Sequence, residues 1–572
     1  MNIVHFSFSD TTGALGAAYE LHRKEKDLGN NSIMIVREKT RDDDSVIELE
    51  YTDSKQERLL RLIDKLYFKN NRKLGTSFHS IDYLGLDWTH ELKKVVEEAD
   101  IIHIHWCMGL LSLNDIQQFL QMRKKIVWTM HDFHPMTGLC HCPESCIRYE
   151  ENCSDCPQMV NTLENISQKL FEEKMHYYGN SSIHIVTASS WLKEIVERSS
   201  IFRNNNISVI PIGIDTEIFS IEKDTDIKQE LGLREDSKII LIGAQSLNDN
   251  VKGYHFLKSI VENLFEFQEI KQLCVDNKLY IVTFGHNANL EINENIPIIN
   301  LGFILERRRL AKIYNMANVF IFPSTFETFG MTAVEAMACG VPVVAFDISA
   351  MSEVIVNGVN GYKVKSGNTE EMAEKICYIL KNSPIDSEKC RKRIYDEYSL
   401  LKETERMITL YNKIENETSP FIKKTEKSTE VELFFNKCIK EIVLDQAMNQ
   451  HPRDSIEKIF WKYNNEYMTI SRKVRNLYNA RVITPQSCIH IYGAGKNGAL
   501  LKKELDRFRI KIISFWDIDE SKWGNTIGNI VITAPKDFES DKSAIVLISI
   551  VAYDEAEEYL SNKGFVLNKN MF

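Results

Sequence analysis

Apolar and polar positions fall into two successive sets along the first 415 residues. From residue 1 to about 213, short apolar runs alternate with helix-like segments. The runs Ile3–Phe8, Ser32–Arg37, Ile101–Trp106, Ile126–His131, His184–Thr187 and Ser208–Ile212 are predicted strands. A charged stretch from Asp215 to Lys238 follows, and a second set begins with Ile239–Gly243, Leu279–Phe284, Ile296–Leu301, Val319–Phe322 and Val341–Phe346. Strands that alternate with helices predict a parallel, doubly wound sheet in each set. Leu401–Ile414 reads as an amphipathic helix that closes the second unit. Polar residues from Glu415 to Thr429 form a linker, and residues 430 to about 480 lack glycine and repeat at helical spacing. A small α/β unit occupies 486–572. The predicted domains are therefore 1–213, 214–415, a linker and helical connector over 416–485, and 486–572.

Composition narrows the classes. With 43% hydrophobic and 26% charged residues the chain has ordinary globular content, and its net charge of −11 argues against a nucleic-acid partner. No run approaches 18 apolar residues, so no membrane-spanning helix is expected. The start, MNIVHFSFSD, reads as a strand and not as a secretion signal. A cytoplasmic protein is expected. Of twelve cysteines, five crowd between positions 140 and 156, and the scattered ones read as reduced buried thiols.

The richest segment is IFPSTFETFGMTAVEAMACGVPVVAFDISAMSEVIVNGVNGY, from Ile321 to Tyr362. A strand ends at Pro323, a turn covers Ser324–Gly330, and a helix runs from Met331 to Cys339, stopped by Gly340 and Pro342. Such a loop sits at the carboxyl edge of a parallel sheet, where ligands bind. The amides of Gly330, Met331 and Thr332 would face a phosphate, and the helix dipole adds to the attraction. Glu335, one turn into the helix, suits a ribose diol, and Glu327, before the turn, suits sugar hydroxyls. Taken alone, two acids at this spacing are equally read as solvated carboxylates.

The surrounding segments decide between these readings. PSTFETFGMTAVEAMACGVPVVA resembles the donor-site signature of the retaining GT-B glycosyltransferases, family 4. DIIHIHW (100–106), VWTMHDFHPMTG (127–138), VTASSWL (186–192), PIGIDTEIF (211–219) and GAQSLNDNVKGY (243–254) resemble segments of the same family in the same order. The resemblance implies a GT-B fold of two facing Rossmann-like domains, here followed by a helical connector and a small third Rossmann-like domain. It implies a nucleotide-sugar donor in the cleft, retention of anomeric configuration, and no cofactor needed for the chemistry. By motif, Glu335 would hold the ribose, Glu327 and the Phe329–Thr332 loop would meet the donor, and Lys252 would neutralise the diphosphate. Gly13 and Gly16, after the first strand, would let the backbone approach the donor. His131 would face the reacting sugar. Glu327, His131 and Lys252 are thus the candidate catalytic set. Two departures from the family pattern stand out: Val251 stands where a basic residue is common before the lysine, and Ser349-Ala350 where a Gly-Gly pair is common.

Three further features stand outside that set. Cys140, Cys146, Cys153 and Cys156 form C-x5-C-x6-C-x2-C, with His141 and Cys142 between, and four thiolates at this spacing are a candidate structural Zn site; a group of reduced thiols is the alternative. Gly493, Gly495 and Gly498 follow a strand and open a helix, with Asp517 nineteen residues beyond Gly498, the context of a dinucleotide fingerprint. Few residues remain for a substrate domain, so a structural or partner-docking module is the stronger reading there than an NAD-like nucleotide. Finally, KQERLLRLIDKLYFKNNRK (55–73) is basic and amphipathic: it either packs on its own domain or rests on an anionic membrane face, where a lipid-linked acceptor would reside. The expected activity is transfer of a sugar to a glycan or lipid-linked acceptor hydroxyl in bacterial polysaccharide or glycoconjugate assembly. The alternatives are an NAD-dependent sugar-nucleotide oxidoreductase or epimerase acting through the C-terminal fingerprint, and a non-catalytic scaffold of GT-B shape.

Overall fold

A computed structural model describes residues 1–11, 13–49, 85–86, 88–159, 165–222, 226–246, 250–286 and 296–417, and, further on, 489–492, 501–502, 505, 510–516, 526–527, 530–533 and 545–548. The predicted basic stretch 55–73, nearly all of the 416–485 connector, and Gly493, Gly495, Gly498 and Asp517 lie outside the described residues. The chain divides into two compact units, Met1–Glu441 and Ile442–Phe572.

The first unit contains two parallel sheets. Strands β1 (Asn2–Ser9), β2 (Asn31–Glu38), β3 (Val46–Glu48), β4 (Ile101–Ile104), β5 (Lys125–Met130), β6 (His184–Thr187) and β7 (Ile207–Val209) are ordered β3-β2-β1-β4-β5-β6-β7. Strands β8 (Lys238–Ser246), β9 (Leu279–His286), β10 (Ile298–Asn300), β11 (Val319–Phe322), β12 (Val343–Phe346) and β13 (Gly361–Val364) are ordered β10-β9-β8-β11-β12-β13. Each is the doubly wound order, reversing beside its first strand. All four residues of β4, β6, β11 and β12 are buried, as strands covered by helices on both faces require. Strands β3 and β13 escape the sequence reading. Both are short edge strands, too brief and too mixed in polarity to show a period.

The helix α1 (Gly13–Asp27) follows β1, and α2 (Met331–Ala338) follows β11. The closing helix α3 (Leu400–Glu415) differs from expectation in its partner. Its stripe Met407, Leu410, Tyr411 and Ile414 packs on Ile3, Leu21, Ile101, Val127, Val186 and Ile210 of the first half, not on the second sheet. Covering that face removes large side chains from water, each contributing about 1.5–3 kcal/mol. The chain thus crosses between its halves twice, near Gly213 and near Ser399, where Ile214 and Ser399 bridge.

In the second unit, β14 (Ile489–Tyr492), β15 (Ile512–Trp516), β16 (Thr526–Ile527), β17 (Ile530–Thr533) and β18 (Ile545–Ile548) form one sheet ordered β16-β17-β15-β14-β18, parallel except for β16. Among the described residues, no helix is long and apolar enough to cross a membrane.

Candidate active site

The second sheet reverses order between β8 and β11, and the loops leaving those strands carry the candidate donor residues. After β8 a single turn, Asn250–Lys252, leads into Gly253 at φ +71°. A Cβ on Gly253 would lie 1.7 Å from the Pro323 carbonyl oxygen, so only glycine lets the two loops touch. The Thr325 amide donates to the Val251 carbonyl at 2.8 Å and locks them together. With the loops joined, Lys252 Nζ reaches Glu327 Oε2 at 2.6 Å. The pair is partly exposed.

Gly330 caps α2 at φ +91°, where a Cβ would lie 2.5 Å from Met351 Cε. The first amides of a helix have no acceptor inside it, which leaves those of Met331 and Thr332 for an anion. Phe329 is in the core, its ring 5.9 Å from that of Tyr398; it anchors the loop and does not line the cleft. One turn on, Glu335 accepts from the Tyr314 hydroxyl at 3.0 Å. Burial pushes its carboxyl up to about 7, against the pull of the Tyr314 hydrogen bond and the Arg307 charge. The protonated form is the one the fold favours, so this stabilising contribution is full below the ordinary carboxylate range and is lost as pH rises through about 7.

The first half supplies the facing wall. His131 directly follows β5, and its carbonyl accepts from the Thr328 hydroxyl at 3.1 Å, one residue beyond Glu327. Phe326 lies between Phe133 and Trp191, with ring centroids at 5.2 and 5.5 Å. The amides of Ser190 and Trp191, opening a helix of the first half, donate to the Glu353 carboxylate at 3.0 and 2.7 Å, where the helix dipole favours an anion. Arg307 pairs with Glu20 on α1 at 2.7 Å. Burial lowers His131 to about 4, outweighing the Asp132 charge, so its imidazole is neutral near pH 7. Asp132 itself is lowered despite burial, because His141 and the Trp106 indole N–H both hydrogen-bond its carboxylate. Gly13 opens α1, a Cβ on Gly16 would lie 2.3 Å from the Thr11 carbonyl oxygen, and Ala17 enters the core of the second half.

The structure therefore brings Glu327, Lys252 and the His131 carbonyl to one seam, with Glu335 and the α2 amides beside it. A buried network that the motifs do not mark stands behind His131, built from His5, Glu25, His103, His105 and Tyr411. The pair His103 and His105, two apart where β4 runs out and hence on one face of the extended chain, is the sequence signal that points to it.

The cysteine loop is compact. Cys140 and Cys153 are buried, Cys146 and Cys156 half-buried, and all four are reduced. Burial and the neighbouring thiols push Cys140 well up and Cys156 up, and burial raises Cys153 to about 12. The Gly138 amide donates to Cys153 Sγ at 3.3 Å, and the amides of Gln158 and Met159 to Cys156, bonds that favour thiolates. A Zn–S4 tetrahedron needs sulfurs about 3.8 Å apart. Among the described residues, the grouping with three ligand atoms within 4.8 Å of one another is His5, His103 and His105, not the cysteines.

Two family models match: "Glycosyltransferase Family 4" over residues 46–218 and "Glycosyl transferases group 1" over 236–382. Among curated proteins, the chain is 24% identical over 322 residues to N-acetyl-alpha-D-glucosaminyl L-malate synthase of Bacillus anthracis, covering 55% of this chain and 75% of that protein. It is 22% identical over 378 residues to the putative colanic acid biosynthesis glycosyl transferase WcaC of Escherichia coli K12, covering 62% of this chain and 85% of that one. Among solved structures, sucrose-phosphate synthase from Thermosynechococcus elongatus aligns with a TM-score of 0.49 at 16% identity, over 72% of this chain and 98% of that one.

Proposed function

Because this chain belongs to the family 4 and group 1 glycosyltransferases of GT-B fold, we propose that its cleft takes a nucleotide-sugar donor and transfers the sugar, with retention, to an acceptor hydroxyl. The observation that carries this reading is the Lys252–Glu327 pair held at the seam by the Thr328–His131 clasp. The bond from the anomeric carbon to the diphosphate breaks, the acceptor oxygen bonds that carbon on the same face, and the acceptor proton leaves on the departing phosphate. Charge grows on that phosphate, so Lys252 and the α2 amides stabilise the transition state more than the ground state. Glu335 holds the ribose diol and Glu327 the sugar. The relation to a putative colanic acid biosynthesis glycosyl transferase supports a role in bacterial polysaccharide assembly, and the acceptor we propose is a glycan or lipid-linked hydroxyl. The test is release of nucleoside diphosphate from a panel of UDP- and GDP-sugars, with the anomeric configuration of the product read by NMR. Inverted product contradicts retention, and no turnover with any donor and acceptor contradicts the reading.

The ribose assignment has a pH signature. A diol donates two O–H groups and is best met by the ionised carboxylate. Nucleotide affinity is expected to rise about 10-fold from pH 6 to pH 8 as Glu335 loses its proton. Calorimetry should show this slope flattened in Glu335→Gln; an equal slope in both proteins contradicts the assignment.

For the cysteine loop we propose a structural Zn held by Cys140, Cys146, Cys153 and Cys156, whose sulfurs must draw together to close around it. The N–H···S bonds to Cys153 and Cys156 support thiolates there. Purified protein should carry about one equivalent of Zn and lose melting temperature on chelation; less than about 0.3 equivalents, with no effect of chelator, contradicts this.

A further inference from the structure

His131 does not stand alone behind the cleft. Its Nε2 lies 3.3 Å from His105 Nδ1, His105 Nε2 lies 3.0 Å from His5 Nδ1, and His5 Nε2 lies 2.7 Å from Glu25 Oε2. The three rings form a file from the residues just past β5 and β4 to β1, and it ends on a carboxylate of α1. His5 and Glu25 are fully buried and His105 is 3% exposed, so water cannot reorder the chain of bonds. Glu25 also accepts from the Ser32 hydroxyl at 3.1 Å and the Tyr411 hydroxyl at 3.0 Å. Three donors converging on one carboxyl make it the accepting end of the file.

Each proton position then follows. With Glu25 accepting, His5 carries its proton on Nε2 and offers Nδ1 to His105. His105 carries its proton on Nε2 and offers Nδ1 to His131. His131 carries its proton on Nε2 and is left with a lone pair on Nδ1. That Nδ1 is shielded from solvent and, among the described residues, has no hydrogen-bond partner. Burial keeps His105 and His131 neutral, as this order requires. The other titratable groups around the file are His22 on α1, His103 on β4, Glu403 and Tyr411 on α3, and Asp132 beside His131. The close approach of His5, His103 and His105 does not call for a metal, because both nitrogens of His5 and of His103 already have partners, the latter in Tyr411 at 2.6 Å and Thr129 at 2.7 Å.

We propose that Glu25 is a positioning residue for the transfer. Acting through His5 and His105, it fixes His131 as the tautomer protonated on Nε2, and with that ring the carbonyl that the Thr328 hydroxyl meets at the seam. This rests on the reading of the cleft as a nucleotide-sugar site, but the tautomer belongs to the free protein and is measured without substrate. In full-length protein labelled with ¹⁵N-histidine, and with the His131 resonances assigned by their loss in His131→Asn, the ring should be protonated on Nε2 and bare on Nδ1 from pH 6 to 8. Glu25→Gln replaces the accepting oxygens with an amide that can donate to His5, and should bring the Nδ1–H form of His131 into view. It should lower kcat by about 10- to 100-fold, the usual cost of losing an orienting partner, with donor KM unchanged. His105→Phe keeps the stacked ring but cuts the file and should cost about as much, and the double variant no more than either single one. A wild-type His131 protonated on Nδ1 overturns the proposal whatever the variants do. So does a double variant whose losses multiply, or a Glu25→Gln protein with unchanged kcat and tautomer.

Discussion

Lys252→Ala is expected to lower kcat by about 10²–10³-fold while weakening donor binding far less, because removing one preorganised group at a developing charge costs that much. Lys252 Nζ lies 2.6 Å from Glu327 Oε2 in a partly exposed seam, so the ammonium is already fixed before a diphosphate arrives. A group fixed in advance needs little reorganisation as charge grows on the leaving phosphate. Its loss also leaves Glu327 without its cation, next to an incoming anion. Lys252→Arg keeps the charge and should retain activity within about 10-fold, short of full because a planar fork replaces a point charge. Steady-state rates with saturating donor check both variants. An alanine variant within about 3-fold of wild type would remove Lys252 from the chemistry.

Gly253→Val should destabilise the fold and abolish turnover together. Two costs combine at this position. The backbone sits at φ +71°, and a Cβ would be 1.7 Å from the Pro323 carbonyl oxygen. Left-handed strain and overpacking together are expected to cost about 2–4 kcal/mol. The obstructing atom is backbone of the loop that carries Glu327, so relief comes only by separating the two loops and with them the ion pair. Gly232→Ala separates the two costs. Gly232 has φ +68° and nothing within 4 Å of its Cβ position, so it should lose only about 1–2 kcal/mol and keep full activity. Thermal unfolding with parallel rate measurements reads both outcomes; a Gly253→Val protein with wild-type melting and rate contradicts the loop-contact account.

The frame of two parallel sheets was legible because buried parallel strands are written as apolar runs: β6 and β11 have the bounds read from the sequence, and β1, β5 and β9 differ only at their ends. The candidate donor loop was legible because a strand end, a glycine and a helix start are all local signals, and Gly330 does cap α2. What was not legible is carried by contacts far apart in sequence. The apolar stripe of α3 announces that the helix is covered, not that β1, β4 and β5 cover it. Phe329 stands among donor-loop residues yet points into the core, because Tyr398 is there to receive it. The Lys252–Glu327 pair spans 75 positions, and Glu25 meets Tyr411 across 386. Spacing rules that see one helix turn or one strand repeat do not reach that far.

The central claim is that the cleft grips an activated sugar by its nucleotide, with Glu335 on the ribose. The most direct measurement is thermal unfolding of the full-length protein with UDP, GDP and their sugars, beside Glu335→Ala. The nucleotide that belongs to the site should add about 2.7 kcal/mol at 100 times its dissociation constant in the wild type, and Glu335→Ala should lose that gain. If no nucleotide or nucleotide sugar raises the melting temperature at millimolar concentration, or if the gain survives in Glu335→Ala, the account is contradicted.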